Sequence, residues 1–286
     1  MQRLSLSLIL LMSLVLPVFY PGFAEAAKLK VFVSILPQQY LVERIGGDRV
    51  EVTSMVRAGA RPETYEPTPK QMAALSNTSI YFRIGVPFED VWMDKIRDQN
   101  PAMKIIDCCR EYKSGDASDH SDEGYYDDRH IWTSPLIGIT LSEQIRDVFI
   151  EEDPDHQFTY EQNFSSLKQD LQDLDKYIRE QLGPLRHRYI IVSHPAWGYY
   201  ANTYNLEQVA IEQHGSEVRA RSLVELVELA RKENIRTIYV QKQFNPASAE
   251  ILAREINGRL VELDPLAPDY IENLRQVTRQ IAEGTQ

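Results

Sequence analysis

FTYEQNFSSLKQDLQDLDKYIREQL, Phe158 to Leu182, is the stretch on which the reading of this 286-residue chain turns. Phe164, Leu167, Leu171, Leu174, Ile178 and Leu182 recur every three or four residues, the spacing of one apolar face of a helix. Lys168, Asp170, Asp173, Lys176, Arg179 and Glu180 fall on the opposite face. Asp153-Pro154-Asp155 supplies a start signal and Gly183-Pro184 a stop. At ~1.5 Å of rise per residue the rod is roughly 35–40 Å long, about the height of a small domain.

On either side of this helix, strands and helices alternate. The first side reads as strands near residues 29–35, 49–56, 79–84 and 103–106. Helices are expected near 37–45, 69–76 and 87–98, the last burying Phe88, Val91 and Trp92. A further helix, capped by Thr133-Ser134-Pro135, is expected to run to about Phe149. The second side reads as strands near 188–193, 206–211, 237–241 and 259–263. Its helices begin near Trp197 and span about 222–232, 246–256 and 268–281. The expected fold class is therefore α/β, with two (β/α)4 lobes of mostly parallel sheets linked by one long backbone helix. The expected division is a leader at 1–26, a first lobe at 27–156, the linking helix at 157–183 and a second lobe at 184–286.

Composition narrows the partners. The chain is 43% hydrophobic, enough for a core, and its formal net charge is −11. With no basic stripe for a phosphate backbone, nucleic acid is an unsuitable partner. Arg3, the apolar run Leu4 to Phe19 and Ala24-Glu25-Ala26 have the form of a cleaved secretory signal. No cysteine lies near that cleavage site to carry a lipid, so a free periplasmic protein is expected. The two cysteines, Cys108 and Cys109, are adjacent and would form either a strained vicinal disulfide or two thiols at a strand end. Lys113 to Arg129 holds six carboxylates and His120, which suits a solvated insertion or a weak cation collector.

Ligands of open α/β sheets sit beyond the carboxyl ends of the strands. Glu63 and Glu66 follow the second strand, and His130 follows the fourth. His194 follows the first strand of the second lobe, and Asp264 its last. Two imidazoles and two carboxylates converging across a cleft make a plausible set for a divalent cation. Zinc takes four N, S or O donors tetrahedrally, and manganese accepts the same donors with more oxygen. His120, His156, His187 and His214 lack this placement and read as surface or structural groups.

The combination resembles the metal-binding solute receptors of ABC importers, the zinc and manganese class with a rigid helix between lobes. The resemblance rests on Gly59-x-x-Pro62-x-Thr64-Tyr65-Glu66-Pro67-Thr68-Pro69, Gly85-x-x-Phe88-Glu89-x-x-Trp92, His130-x-Trp132, Ser193-His194-Pro195-Ala196-Trp197-Gly198-Tyr199-Tyr200-Ala201 and Leu263-Asp264-Pro265-Leu266. It implies His130, His194 and Asp264 as metal ligands, with Glu63 where the family usually carries His; Glu66 or water are alternatives for that first position. It further implies a monomeric receptor that catalyses nothing and hands its ion to a permease in the inner membrane. Zinc is the expected cargo, because His194 resembles the zinc receptors, with manganese and ferrous iron as alternatives. Two other functions fit parts of the sequence. One is an exported metalloenzyme with Glu66 as spare base, although no HExxH-type helix supports it. The other is a receptor for a metal chelate or cobalamin, with Trp132, Trp197, Tyr199 and Tyr200 lining a wide cleft.

Overall fold

The computed structural model describes residues 28–113, 128–212 and 220–285. The expected signal segment, most of the acidic run, His120 and His214 lie outside the described residues.

The first half runs β1 (Leu29–Val33), α1 (Leu36–Gly46), β2 (Val50–Ser54), α2 (Pro69–Leu75), β3 (Ile80–Arg83), α3 (Pro87–Gln99), β4 (Lys104–Asp107), α4 (Arg110–Lys113) and α5 (Pro135–Glu152). The long helix is α6 (Gln157–Leu182). Then follow β5 (Tyr189–Val192), α7 (Gly198–Thr203), β6 (Glu207–Ala210), α8 (Ala220–Lys232), β7 (Thr237–Val240), α9 (Ala247–Glu255), β8 (Arg259–Glu262) and α10 (Tyr270–Gly284). The strands form two four-stranded sheets in the orders β2-β1-β3-β4 and β6-β5-β7-β8, and every pairing is parallel. Each order reverses direction between its two central strands, which leaves a crevice at the carboxyl end of each sheet.

The stripe on α6 is buried as its spacing predicts, and Tyr160 extends it by a turn. It packs against α1, α5 and α10. One continuous apolar core joins it to residues of both sheets, including Val31, Phe82, Ile190, Val192 and Tyr239. A smaller core lies between the second sheet and α8 and α9, built on Ile191, Ile238, Leu226 and Leu252. Cross-links also tie the halves. The Trp132 indole donates to the Pro265 carbonyl at 2.8 Å, and the Tyr270 hydroxyl donates to the Trp132 carbonyl at 2.6 Å.

Two local expectations need correction. Val91 is 68% exposed, and the inward positions of α3 belong to Phe88, Glu89, Met93 and Ile96. Glu89 turns inward because its carboxylate has partners there. It accepts from the Arg83 guanidinium and from the backbone N–H groups of Ile84 and Gly85, each at 2.9 Å. Secondly, Ser134 stands at the N-cap of α5 but its side chain does not cap; it meets the Thr203 hydroxyl at 3.1 Å. Thr68 does cap α2, in a reciprocal box with Gln71. Cys108 and Cys109 are buried thiols at the end of β4, not joined in a disulfide, and burial pushes the Cys108 thiol up.

The Glu89 cluster should behave as a buried ion pair. Glu89→Ala would leave two backbone N–H groups unpaired and Arg83 with Asp107 at 3.6 Å as its remaining ion pair, and is expected to cost about 3 kcal/mol. Urea unfolding of the wild type and the variant reads this directly, and a cost below about 1 kcal/mol would contradict it.

Candidate metal centre

Glu63 sits in the loop between β2 and α2. The loop is shaped by turns in which Ala60 N–H donates to Arg57 O and Thr64 N–H to Arg61 O. It is pinned to the start of α3 by the Phe88 N–H, which donates to the Pro62 carbonyl at 3.1 Å. His130 opens the short 3-10 turn Ile131–Thr133. Its neighbour Arg129 anchors the approach by donating to the Gly85 carbonyl at 3.1 Å and pairing with Asp90. Gly85 holds φ +86°, a conformation that favours glycine. His194 leaves β5 in a tight bend closed by the Ala196 N–H donating to its carbonyl at 2.8 Å.

These three loops converge. Glu63, His130 and His194 each offer one ligand atom, and the three atoms lie within 4.8 Å of one another. The His194 Nε2 to Glu63 Oε1 distance is 3.7 Å, and the two imidazole centroids are 5.3 Å apart, edge to face. Asp264 is not in this group. Its Oδ1 accepts from the Leu266 N–H at 2.9 Å, and its backbone carbonyl accepts from Asn273 Nδ2. Glu66, the other candidate for the first position, is exposed and outside the group. His156 pairs with Asp153 at 2.8 Å. His187 lines a separate cavity of about 760 Å³ at the opposite, amino-terminal edge of the second sheet, with Arg186, Arg236 and Arg259 among its walls.

The polar surroundings of the three donors are unusual. His194 Nδ1 and Nε2 and Glu63 Oε2 are buried without a hydrogen-bond partner, a costly state that a bound cation would relieve. His130 is already oriented: Asp128 Oδ1 takes both its Nδ1, at 2.7 Å, and its backbone N–H, at 2.9 Å. That leaves the other ring nitrogen for a ligand, the usual carboxylate–histidine arrangement behind a metal. Asp128 is only 8% exposed and presses against the start of α7. A Cβ added to Gly198 would come within 2.2 Å of Asp128 Oδ2, so glycine is required there by close approach. On the far side of His194, Glu212 Oε2 lies 3.8 Å from Nδ1.

Asp128, Glu212, Arg61 and Phe244 are the neighbours that the sequence reading missed. Asp128 was hidden within the acidic run, although its position two residues before His130 was a usable signal. Glu212 directly follows the β6 region and met the same strand-end rule that found the others. Nothing in the sequence around Phe244 marks it.

Burial lowers the His194 pKa to about 3, with further downward pushes from His130 and Arg61 and an opposing pull from Asp128. The imidazole is therefore neutral and ready as a donor across ordinary pH.

The sequence profile of the family described as "ZnuA: Zinc-uptake complex component A periplasmic" matches residues 31–284. The chain belongs to this family. It is 37% identical to the protein in a structure titled "Crystal structure of ZnuA", with a TM-score of 0.84, covering 91% of this chain and 100% of that one. A ZnuA deletion mutant solved with zinc bound is also 37% identical, with a TM-score of 0.83, covering 91% and 98%. The zinc-binding lipoprotein AdcA of Streptococcus pneumoniae strain R6 is 30% identical over 280 residues, which is 93% of this chain and 56% of the relative. The chain thus spans about half the length of that curated relative.

The buried His194 has a consequence for stability. In the metal-free protein the folded imidazole titrates near 3 and the unfolded one near its ordinary ~6.5. Between those values the unfolded state holds more protons, so stability falls as pH drops through this window, by at most about 1.4 kcal/mol per pH unit. Urea unfolding of chelator-stripped protein at pH 7 and pH 4.5 should show this loss, and His194→Gln should show less of it. Equal losses in the two proteins would place the titration elsewhere.

Proposed function

We propose that this chain is an exported, periplasmic receptor that captures one divalent cation, zinc, and delivers it to an ABC permease in the inner membrane. The observation that carries the reading is the trio Glu63, His130 and His194, whose donor atoms converge while both ring nitrogens of His194 and Oε2 of Glu63 lack hydrogen-bond partners. Two imidazoles and one carboxylate suit zinc better than manganese, which leans more on oxygen donors. Membership of a zinc-uptake family and the zinc-bound relative support the same choice. Asp264 is the proposed fourth ligand: Oδ1 holds the turn to Leu266, so Oδ2 is the oxygen that would turn toward the ion. Water is the alternative occupant of that position. We also read the chain as a monomer in which a lobe at 27–156, the helix at 157–183 and a lobe at 184–286 act together, and as a carrier rather than a catalyst.

The chelate-receptor reading loses its lining. Trp132, Trp197, Tyr199 and Tyr200 are all buried in the shared core, so they do not face a wide cleft. Trp132 spends its N–H on Pro265, and Tyr200 shares a hydrogen bond with Thr278.

A metal competition titration tests the proposal. Chelator-stripped wild type should bind one tight equivalent of zinc and release manganese to it. His194→Ala should weaken zinc binding by roughly two orders of magnitude or more while the thermal transition persists, since the fold does not rest on that side chain. Failure of the wild type to bind any bare cation would defeat the reading. Preferential manganese binding would mean that Glu63 has re-tuned the site.

A further inference from the structure

One permanent cation already stands beside the three donors. Arg61 Nε lies 3.8 Å from Glu63 Oε2, and the Arg61 guanidinium carbon sits 4.1 Å from the Phe244 ring centroid. Phe244 in turn stacks on His194, with centroids 4.2 Å apart and planes 21° apart. Arg61, from the loop after β2, therefore forms a column with two side chains from the second half of the chain. Arg61 Nε and Glu63 Oε2 are both buried, and neither has a hydrogen-bond partner. At 3.8 Å their interaction is Coulombic rather than a hydrogen bond. The guanidinium is thus held by the ring beneath it, close to the carboxylate but not saturating it.

Arginine is a suitable residue for this place. It keeps its charge at any relevant pH, whereas a histidine there could shed a proton when a dication arrived. Its planar group stacks on an aromatic face. Before metal arrives, Arg61 offsets the negative charge of Glu63, which would otherwise be a half-buried carboxylate beside two imidazoles. Once metal arrives, the same charge opposes it from across Glu63; the facing Nε and Oε2 atoms are buried, which limits the screening between them, while the rest of the Arg61 side chain is partly exposed.

We propose that Arg61 sets the affinity and release rate of the metal centre: it is a resident monocation, paired with Glu63 and stacked on Phe244, that an entering dication must outcompete. The proposal rests on the metal reading above. It gives a receptor that holds its ion firmly but not irreversibly, as a carrier that must give up its cargo requires. Because Arg61 acts chiefly on the carboxylate, it handicaps an oxygen-preferring cation more than one that binds through imidazole nitrogen. It thereby also widens the preference for zinc over manganese.

The test uses the full chain, metal-stripped, in three forms: wild type, Arg61→Gln and Arg61→Lys. Zinc and manganese are titrated against a calibrated indicator, and zinc release to a chelator is timed. Arg61→Gln should bind zinc at least tenfold more tightly, equivalent to about 1.4 kcal/mol, and release it correspondingly more slowly. Its gain for manganese should exceed its gain for zinc. Arg61→Lys, which keeps the charge, should stay close to the wild type, and it provides a second variant if the glutamine form folds poorly. Unchanged or weaker zinc binding in Arg61→Gln, with an intact wild-type site, would overturn this assignment alone and leave Arg61 a prop for Glu63. Equal tightening in Arg61→Lys would overturn it too, since charge would then not be the cause. A wild type that binds neither metal would bring down the metal reading and this assignment with it.

Discussion

The burial of one helical stripe governs the rest of the structure. Tyr160, Phe164, Leu167, Leu171, Leu174, Ile178 and Leu182 insert into a core that both sheets share through α1, α5 and α10. At roughly 25 cal/mol per Å² of apolar surface, parting the halves along this seam would expose enough area to rival the stability of the whole fold. The Trp132–Pro265 and Tyr270–Trp132 hydrogen bonds lie across the same seam. The distance between Glu63 and His194, which sit on opposite halves, is therefore fixed by packing far from either. Moving the halves apart as two independent domains would break this shared core.

That rigidity explains why the centre can tolerate unsatisfied polar atoms. A buried donor or acceptor without a partner costs about 1–3 kcal/mol, and a compliant site would rearrange to avoid it. Here the loops are held from behind: Phe88 N–H on Pro62, Arg129 on Gly85 and Asp90, Asp128 on His130, and Gly198 against Asp128. The imidazoles of His130 and His194 and the carboxylate of Glu63 are kept facing one another. The cost of assembling the donors is met in folding, so less of the ion's binding energy goes into organising them.

The order of elements was legible because it depends on periodicity. The α6 stripe, the short β-branched strands and the proline starts of α2, α3 and α5 are local signals, and every strand and helix but α4 stands within a few residues of its sequence reading. Glu89 was not legible. A carboxylate on the inner face of α3 makes sense only when Arg83 and the two N–H groups after β3 are seen beneath it, so Val91 was taken for the buried residue in its place. The strand-end rule found Glu63, His130 and His194 because carboxyl-end loops are where parallel sheets gather side chains. It could not rank Asp264 or Glu66 against them, since which loop bends inward is decided by contacts between halves that no local pattern encodes.

Asp264 shows what the same rule leaves open. It follows β8 as His194 follows β5, yet its neighbours ask something different of it. Pro265 must present its carbonyl to Trp132, and Leu266 must turn at once toward α10; Oδ1 of Asp264 closes that turn by accepting the Leu266 N–H. Asn273 on α10 holds the Asp264 carbonyl from the other side. The loop is thus one of the ties between the halves, and its carboxylate has a structural task whether or not a cation is present. A ligand borrowed from a tie of this kind can contribute only the oxygen the turn leaves free.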